Sequence, residues 1–253
     1  MNQSKPDDLL AMLASSAPLV ENALLLLSEI LQGEAVADRG LRSLDEIANA
    51  ISAAYPDDSG VERIVQGLFG DAGFVGDVDN YHAEDNSFLD RVVDRRIGMP
   101  ITLSAVVIAV GRRLGVQLLP IGLPGHVVVG IPGESNSFVD AFSGALVDRQ
   151  SLEQRLGSIF GRTVSINDTS LTPMTITAVV TRVCNNLMRT WADESGKFDR
   201  LLELRVRLPI AESEQHMLIE IAEARARFDL AATLREDIDP TDPEIEALWG
   251  RLN

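Results

Sequence analysis

Cysteine is nearly absent from this sequence: Cys184 is the only one among 253 residues. A single thiol can form no disulfide within the chain and no zinc cluster, so the composition is typical of a reducing compartment, and we expect a cytoplasmic protein. Basic residues are scarce as well, with 22 Lys and Arg against 38 Asp and Glu and a formal net charge of −16. Because nucleic acids and anionic membranes bind basic surfaces, this charge predicts a partner that is neither nucleic acid nor membrane.

Long apolar runs are missing too. The run at 23–27 falls far short of the about 20 apolar residues that a membrane-spanning helix needs. Asp7 and Asp8 lie where a signal peptide would be basic, so neither export nor membrane insertion is expected. The sequence contains no phosphate-binding loop, dinucleotide-binding motif or zinc spacing, and it therefore predicts no cofactor and no metal. Apolar residues make up 45% of the chain, which is ample for a folded core.

Two domains are predicted, over residues 1–170 and 171–253. The first begins with apolar residues at helical spacing, and the pair Ser43 and Glu46 matches the capping box that starts a helix. Residues 101–110 are apolar on nearly every side, which predicts a central helix buried all round, with Pro100 in its first turn.

Three strand candidates follow the central helix, at 116–121, 127–131 and 137–142. The links between them are short, which favours antiparallel pairing of neighbours. A helix at 151–156 and a further strand at 163–166 complete the predicted first domain.

The C-terminal part of the chain is helical by its pattern. Apolar residues recur at helical spacing from Ile176 to Trp191, and four shorter helices are predicted after it, the last beginning at Asp242 and Pro243. Short antiparallel helices at this spacing are typical of a degenerate helical repeat.

His126 opens the second strand candidate, directly after the turn residues Pro124 and Gly125. A general base belongs at such a strand end, at the mouth of a site. A histidine that is only hydrogen-bonded at a strand end fits the same pattern, and the sequence leaves both interpretations open.

Asp140 lies among apolar residues of the third strand candidate, where a carboxylate is costly to bury unless it is paired. If its strand lies beside that of His126, the imidazole is the natural partner, and the carboxylate would orient the ring as in catalytic triads. Alternatively, Asp140 caps the turn at Ser143 and Gly144. The two interpretations have equal weight at this point.

The nucleophile that would complete such a triad is missing. A reactive thiol is favoured at a helix N-terminus, where the helix dipole lowers its pKa, but Pro100 stands there and has no nucleophilic atom. Ser104 lies one turn deeper, about 6 Å along the helix, and Thr102 points to the opposite side. Both hydroxyls are predicted to bond to carbonyls of the preceding turn, and Cys184 is predicted to pack as a small apolar residue.

An acidic loop precedes the central helix. The spacing of Asp77 and Asp79 is similar to that of a calcium-binding loop, but Tyr81 and His82 occupy the next ligand and glycine positions. We therefore predict a solvated loop without a metal ion.

Several segments closely resemble the SirB family of bacterial proteins, which combine a transglutaminase-like domain with C-terminal tetratricopeptide-like helices. The resemblance covers roughly residues 40 to 250, and its most specific part runs from Gly98 to His126. The segments that carry it are Phe74-Val75-Gly76 through Tyr81, Asn86-Ser87-Phe88-Leu89, Arg96 to Ser104, Arg113-Leu114-Gly115, Gly122 to His126 and Val139-Asp140-Ala141-Phe142.

The resemblance implies an α+β fold with a papain-like core, in which the central helix packs on a small antiparallel sheet between N-terminal helices and a C-terminal helical-repeat-like segment. His126 and Asp140 match two members of the Cys–His–Asp triad of active transglutaminase-like enzymes. The family spacing, counted back from Gly115, puts Pro100 at the cysteine position. The SirB family shares this proline, so the resemblance implies that the loss is a family trait.

Two functions are compatible with these residues. The leading hypothesis is a non-catalytic protein that binds a protein or peptide partner, because the nucleophile is missing and helical-repeat segments commonly bind peptides. The alternative is an amide-bond hydrolase or acyl transferase in which His126 and Asp140 activate water, Ser104 or Thr102. In a third interpretation, His126 and Asp140 form a purely structural pair that joins two strands.

Overall fold

The computed structural model describes residues 4–210 and 212–236. A π-helical turn at Gln66–Asp71 and short 3-10 turns at Glu84–Asn86 and Asp168–Leu171 supplement the regular elements. In chain order these are α1 (Ser4–Leu13), α2 (Val20–Gln32), α3 (Ala37–Ala54), α4 (Val61–Val65), β1 (Val75–Gly76), α5 (Leu89–Arg95), β2 (Ile97–Gly98), α6 (Pro100–Arg113), β3 (Leu119–Leu123), β4 (His126–Gly130), β5 (Phe138–Asp140), β6 (Ala145–Val147), α7 (Arg149–Phe160), α8 (Ile176–Thr190), α9 (Ser195–Arg205), α10 (Glu212–Ala224) and α11 (Phe228–Glu236).

Helix α6 forms the centre of the first part of the fold. All of its residues are buried except Ile108, Arg112 and Arg113, as its uniformly apolar sequence predicts. It packs against β4 and against helices α2, α3, α4, α5 and α8. At its C-terminus the buried carboxylate of Glu21 accepts hydrogen bonds from Arg112 and Arg113, at 2.6 and 3.0 Å, which ties α2 to the end of α6.

Strands β3 to β6 form an antiparallel sheet in the order β3-β4-β5-β6. The β3–β4 hairpin closes through Pro124 and Gly125, with Leu123 opposite His126. Gly125 has φ of +67°, a backbone conformation that favours glycine. This turn therefore fixes His126 at the first position of β4. A separate parallel pair, β1 and β2, precedes α6.

The α+β fold class is confirmed, and three of the sheet strands lie close to the predicted ones. The prediction missed β6 and wrongly placed a strand at 163–166, where the chain is irregular. The predicted helix start at Ser43 is also wrong, because α3 begins at Ala37. There the carboxylate of Glu29 on α2 accepts the backbone N–H groups of Val36 and Ala37, both at 2.9 Å. A cap supplied by a neighbouring helix thus replaces the local capping box.

The chain divides into two compact units after Phe198, within α9, whereas the boundary was expected near residue 170. In the second unit α10 packs against α11, and the fully buried Arg205 pairs with Glu214 at 2.7 Å. The helix predicted at Asp242 and Pro243 lies outside the described residues. Within the described ranges, no helix combines the length and the apolar character needed to cross a bilayer.

Candidate functional site

His126 and Asp140 are brought together by the pairing of β4 with β5. Nε2 of His126 lies 3.1 Å from Oδ1 of Asp140, a hydrogen-bond distance. Both side chains are buried, with His126 4% and Asp140 0% exposed. Burying the Asp140 carboxylate costs little free energy only because it is paired, and the imidazole of His126 is one of its partners.

Asp140 has three further partners. Its Oδ2 accepts a hydrogen bond from the guanidinium of Arg155 on α7, and its Oδ1 accepts the backbone N–H groups of Phe142 and Ser143 at 3.1 and 3.4 Å. Burial alone would raise the pKa of Asp140, but the hydrogen bond from His126 and the charges of His126 and Arg155 hold that pKa below its usual value. Asp140 therefore orients His126 and caps the following turn, so both sequence interpretations hold together.

Arg155 is a residue of this site that the sequence analysis missed. It lies on α7, fifteen positions after Asp140 on the chain, and it reaches Asp140 only through the tertiary fold. The one available signal was the carboxylate itself: an acid in an apolar strand demands a cation, and the following helix carries Arg149 and Arg155.

Hydrogen bonds of the residues on either side of Pro100 fix the N-terminus of α6. Met99 is the N-cap residue, and its backbone N–H donates to Oγ1 of Thr102 at 3.3 Å. The Thr102 hydroxyl also lies 2.7 Å from the carbonyl of Asn86 and 3.2 Å from that of Met99. The predicted bond from Thr102 to a carbonyl of the preceding turn is thus confirmed, and its hydroxyl is engaged in holding the loop onto α6.

Ser104 behaves differently from the prediction. Its side chain is 1% exposed, and its Oγ has no hydrogen-bond partner among the described residues. The expected bond to a carbonyl of the preceding turn is therefore absent, and Ser104 forms no hydrogen bond with His126. A hydroxyl nucleophile needs a base within hydrogen-bond reach, about 2.6–3.2 Å, and this pair does not meet that condition.

The other ring nitrogen of His126, Nδ1, makes no hydrogen bond to any residue the structure describes. The arrangement thus retains an oriented imidazole beside the carboxylate, but it lacks an atom for that imidazole to activate. Cys184 is fully buried on α8, in agreement with the prediction that it packs in the interior.

Helix α8 packs against α6 and contacts the turn before β4. Nη2 of Arg182 donates to the carbonyls of Leu123 and His126, at 3.1 and 3.0 Å, and so holds the turn that presents His126. One turn further on, Nδ2 of Asn186 lies 3.1 Å from the sulfur of Met99, the N-cap of α6. The sequence analysis did not identify these residues, although they lie on the polar face of α8, opposite its apolar stripe.

The acidic loop before α6 is more ordered than predicted. Asp77 is 9% exposed rather than solvated, and its Oδ2 accepts a hydrogen bond from the buried Asn86 at 2.9 Å. That bond, a backbone N–H of Asn80 and the charge of Arg95 lower the pKa of Asp77. Asn86 also reaches the carbonyls of Asn80 and Tyr81, which places the Tyr81 ring against Phe142 with ring centroids 5.8 Å apart.

Comparisons with known proteins agree with this geometry. A sequence model described as the transglutaminase-like superfamily matches residues 38–185, more than half of the chain. The chain is 33% identical over 139 residues to a UPF0162 protein of Xylella fastidiosa, covering 53% of this chain and 49% of that protein. It is 31% identical over 136 residues to a UPF0162 protein of Pseudomonas aeruginosa, covering 52% and 50%.

A third relative is Protein SirB1 of Salmonella typhimurium, which is 25% identical over 145 residues, 55% of this chain and 54% of that protein. The predicted SirB-family membership is confirmed by these matches. The chain spans about half the length of the curated relatives it matches. No solved structure matches it.

Proposed function

The chain belongs to the transglutaminase-like superfamily, and we propose that it is a non-catalytic, cytoplasmic member that binds a protein or peptide partner. The observation that carries the proposal is Pro100 at the first position of α6, where the family resemblance puts the nucleophile, together with an imidazole that is already bonded to Asp140. A proline can start a helix but cannot attack a carbonyl.

The state of Asp140 and His126 supports a scaffolding role for the pair. Asp140 has no exposed surface and is bonded to Arg155 and two backbone N–H groups in addition to His126. Such a pair fixes β4, β5 and α7 relative to one another. It holds His126 at the start of β4 and the turn after β5.

The alternative function, an amide-bond hydrolase or acyl transferase, needs a nucleophile next to His126. Thr102 is bonded to Asn86 and Met99, and Ser104 is buried without a bond to His126. Water would be the remaining nucleophile, with Nδ1 of His126 as its base. The 4% exposure of His126 leaves little room for water and substrate together, which favours the binding function.

Affinity selection with mass spectrometry tests the proposal. The full-length protein is immobilised and exposed to a pool of random octapeptides, and retained peptides are eluted and sequenced. The proposal expects a reproducible set of peptides that leave the protein with unchanged mass. Recovery of cleaved, deamidated or cross-linked peptides that disappears in a His126→Ala variant would establish catalysis instead. Retention of no peptide would refute the binding function.

A further inference from the structure

Helix α8 carries two arginines beside the N-terminus of α6 that have no carboxylate partner among the described residues. Arg182, Asn186 and Arg189 are spaced i, i+4 and i+7 and thus share one face, which we call the arginine face of α8. Arg182 bonds only to the carbonyls of Leu123 and His126, and Arg189 bonds only to Oδ1 of Asn186, at 3.4 Å.

This arrangement is unusual for a chain with 38 acidic residues and a net charge of −16. Arg155, Arg112 and Arg113 all reach buried carboxylates. An arginine has five N–H donors, and Arg182 uses only Nη2, so its Nε and Nη1 groups remain available, as do most donors of Arg189. The arginine face therefore offers several unused donors in one place.

The charge of Arg189 affects the pKa of Arg182, and the charges of both arginines affect that of Tyr81. Burial lowers the pKa of Arg182, and the charge of Arg189 lowers it further. Burial raises the pKa of the Tyr81 phenol, and the charges of Arg182 and Arg189 oppose that rise. A partly desolvated cation beside a second cation is costly without a counter-ion, and a bound anion would relieve that cost.

Three carboxylates near the arginine face already form hydrogen bonds or ion pairs with other residues. Glu84 accepts hydrogen bonds from Trp191 at 2.5 Å and Lys197 at 2.8 Å, and Asp85 pairs with Arg95 at 3.7 Å. Asp140 is bonded to His126 and Arg155. Asp79 of the same loop is exposed and forms no ion pair with Arg182 or Arg189. Within the described residues, therefore, no acidic side chain of the loop pairs with the arginine face.

We propose that the arginine face of α8 binds a carboxylate group of a peptide partner. Guanidinium groups form paired, charge-assisted hydrogen bonds with carboxylates. The net negative charge of the protein repels polyanions and favours a ligand with a single local charge. Because Arg182 also holds the carbonyls of Leu123 and His126, an occupied site stabilises the turn that carries His126.

This inference rests on the proposed peptide-binding function and names its ligand group. It is tested with two matched pools of random octapeptides, one ending in a free carboxylate and the other in an amide, both offered to the full-length protein. Selected peptides are then titrated individually by fluorescence anisotropy. Peptides with internal Glu replaced by Gln separate a side-chain carboxylate from the chain terminus as the group that is bound.

We expect removal of the bound carboxylate, or Arg189→Gln, to weaken affinity by about tenfold or more, because at least one charge-assisted hydrogen bond is lost in each case. Arg189 is exposed, so this variant is expected to keep the melting temperature of the wild type. Arg182→Lys keeps the charge but loses the paired geometry and should weaken binding as well. Arg42→Gln removes an equally exposed charge on α3 and serves as the matched control.

Equal affinity of acid and amide forms at both the chain terminus and internal positions would overturn the inference while leaving the peptide-binding function intact. Equal effects of Arg189→Gln and Arg42→Gln would do the same, as would stronger binding of matched phosphoserine peptides. Retention of no peptide from either pool would refute the proposed function as well. The failure of the two proposals is thus distinguishable.

Discussion

Replacement of Asp140 by alanine tests the structural role of the buried pair. The carboxylate is 0% exposed and has four partners: His126 at 3.1 Å, the guanidinium of Arg155 and the backbone N–H groups of Phe142 and Ser143. The variant removes the acceptor of two backbone N–H groups in the half-buried turn after β5 and the counter-charge of Arg155. Each of these changes destabilises the folded state.

The expected loss of unfolding free energy is about 3–5 kcal/mol, the range for breaking a buried pair by removing one partner. Part of it comes from the lost hydrogen bonds to His126, Phe142 and Ser143, at about 1 kcal/mol each. Arg155 contributes less, because its side chain is 37% exposed and the solvent screens its charge. In a protein of this size each kcal/mol corresponds to roughly 2–4 °C, so we expect the melting temperature to fall by about 6–20 °C.

Urea denaturation of purified wild type, Asp140→Ala and Asp168→Ala measures these differences. Asp168 also pairs with an arginine, Arg149, but its side chain is 89% exposed, so its removal should cost at most about 1 kcal/mol. The reasoning would be refuted if the two variants lost equal stability. It would also be refuted if Asp140→Ala lost less than about 1 kcal/mol.

The stabilisation by Asp140 is expected to depend on pH in a defined direction. Its pKa is lower in the folded state than the ordinary value of 3.8, so the folded protein binds this proton less readily than the unfolded chain. Its contribution is therefore fully present above about pH 4 and is lost as the pH falls through the folded pKa. The stability difference between wild type and Asp140→Asn should shrink below pH 4, as measured by urea denaturation across pH. An unchanged difference would contradict the assignment.

Four further substitutions have clear expected outcomes. Ser104→Ala removes a buried hydroxyl that has no partner among the described residues, so the melting temperature should stay unchanged or rise. Thr102→Val loses the hydrogen bonds to Met99 and Asn86 and should cost about 1–3 kcal/mol of unfolding free energy. If Ser104→Ala lowered the melting temperature more than Thr102→Val, Ser104 would have to be hydrogen-bonded. Arg155→Ala removes a cation that lowers the pKa of Asp140, so acid unfolding should begin at a higher pH than in wild type, and an identical acid transition would argue against this ion pair. Arg205→Ala removes a fully buried guanidinium together with its ion pair to Glu214 and should cost about 3–5 kcal/mol by urea denaturation. A loss below about 1 kcal/mol would contradict this expectation.

The sequence predicted those parts of the fold that depend on local pattern. The buried α6 follows from its uniformly apolar composition, and the β3–β4 hairpin follows from Pro124 and Gly125 between two apolar runs. The pairing of His126 with Asp140 was one of two interpretations of equal weight, based on the cost of burying a lone carboxylate. These features depend on the pattern of residues close together in the sequence and not on contacts between distant elements.

The features that the sequence could not reveal all depend on contacts between distant elements. Glu29 caps α3 from α2, and Arg155 reaches Asp140 from α7, although nothing in the local sequence of either residue marks its partner. The strand β6 has only three residues, too few for a recognisable alternation. The sequence showed the arginine face of α8 only as the polar side of an amphipathic helix. Most surface helices have such a side, so the pattern did not predict a binding site.

The central claim is that the site built around Pro100, His126 and Asp140 has no catalytic activity. Incubation of wild type and His126→Ala with a pool of glutamine-containing peptides and a primary amine, followed by mass spectrometry, tests it directly. The account predicts no cleavage, deamidation or amine incorporation above the protein-free background with either protein. Product formed by the wild type and lost in His126→Ala would contradict it.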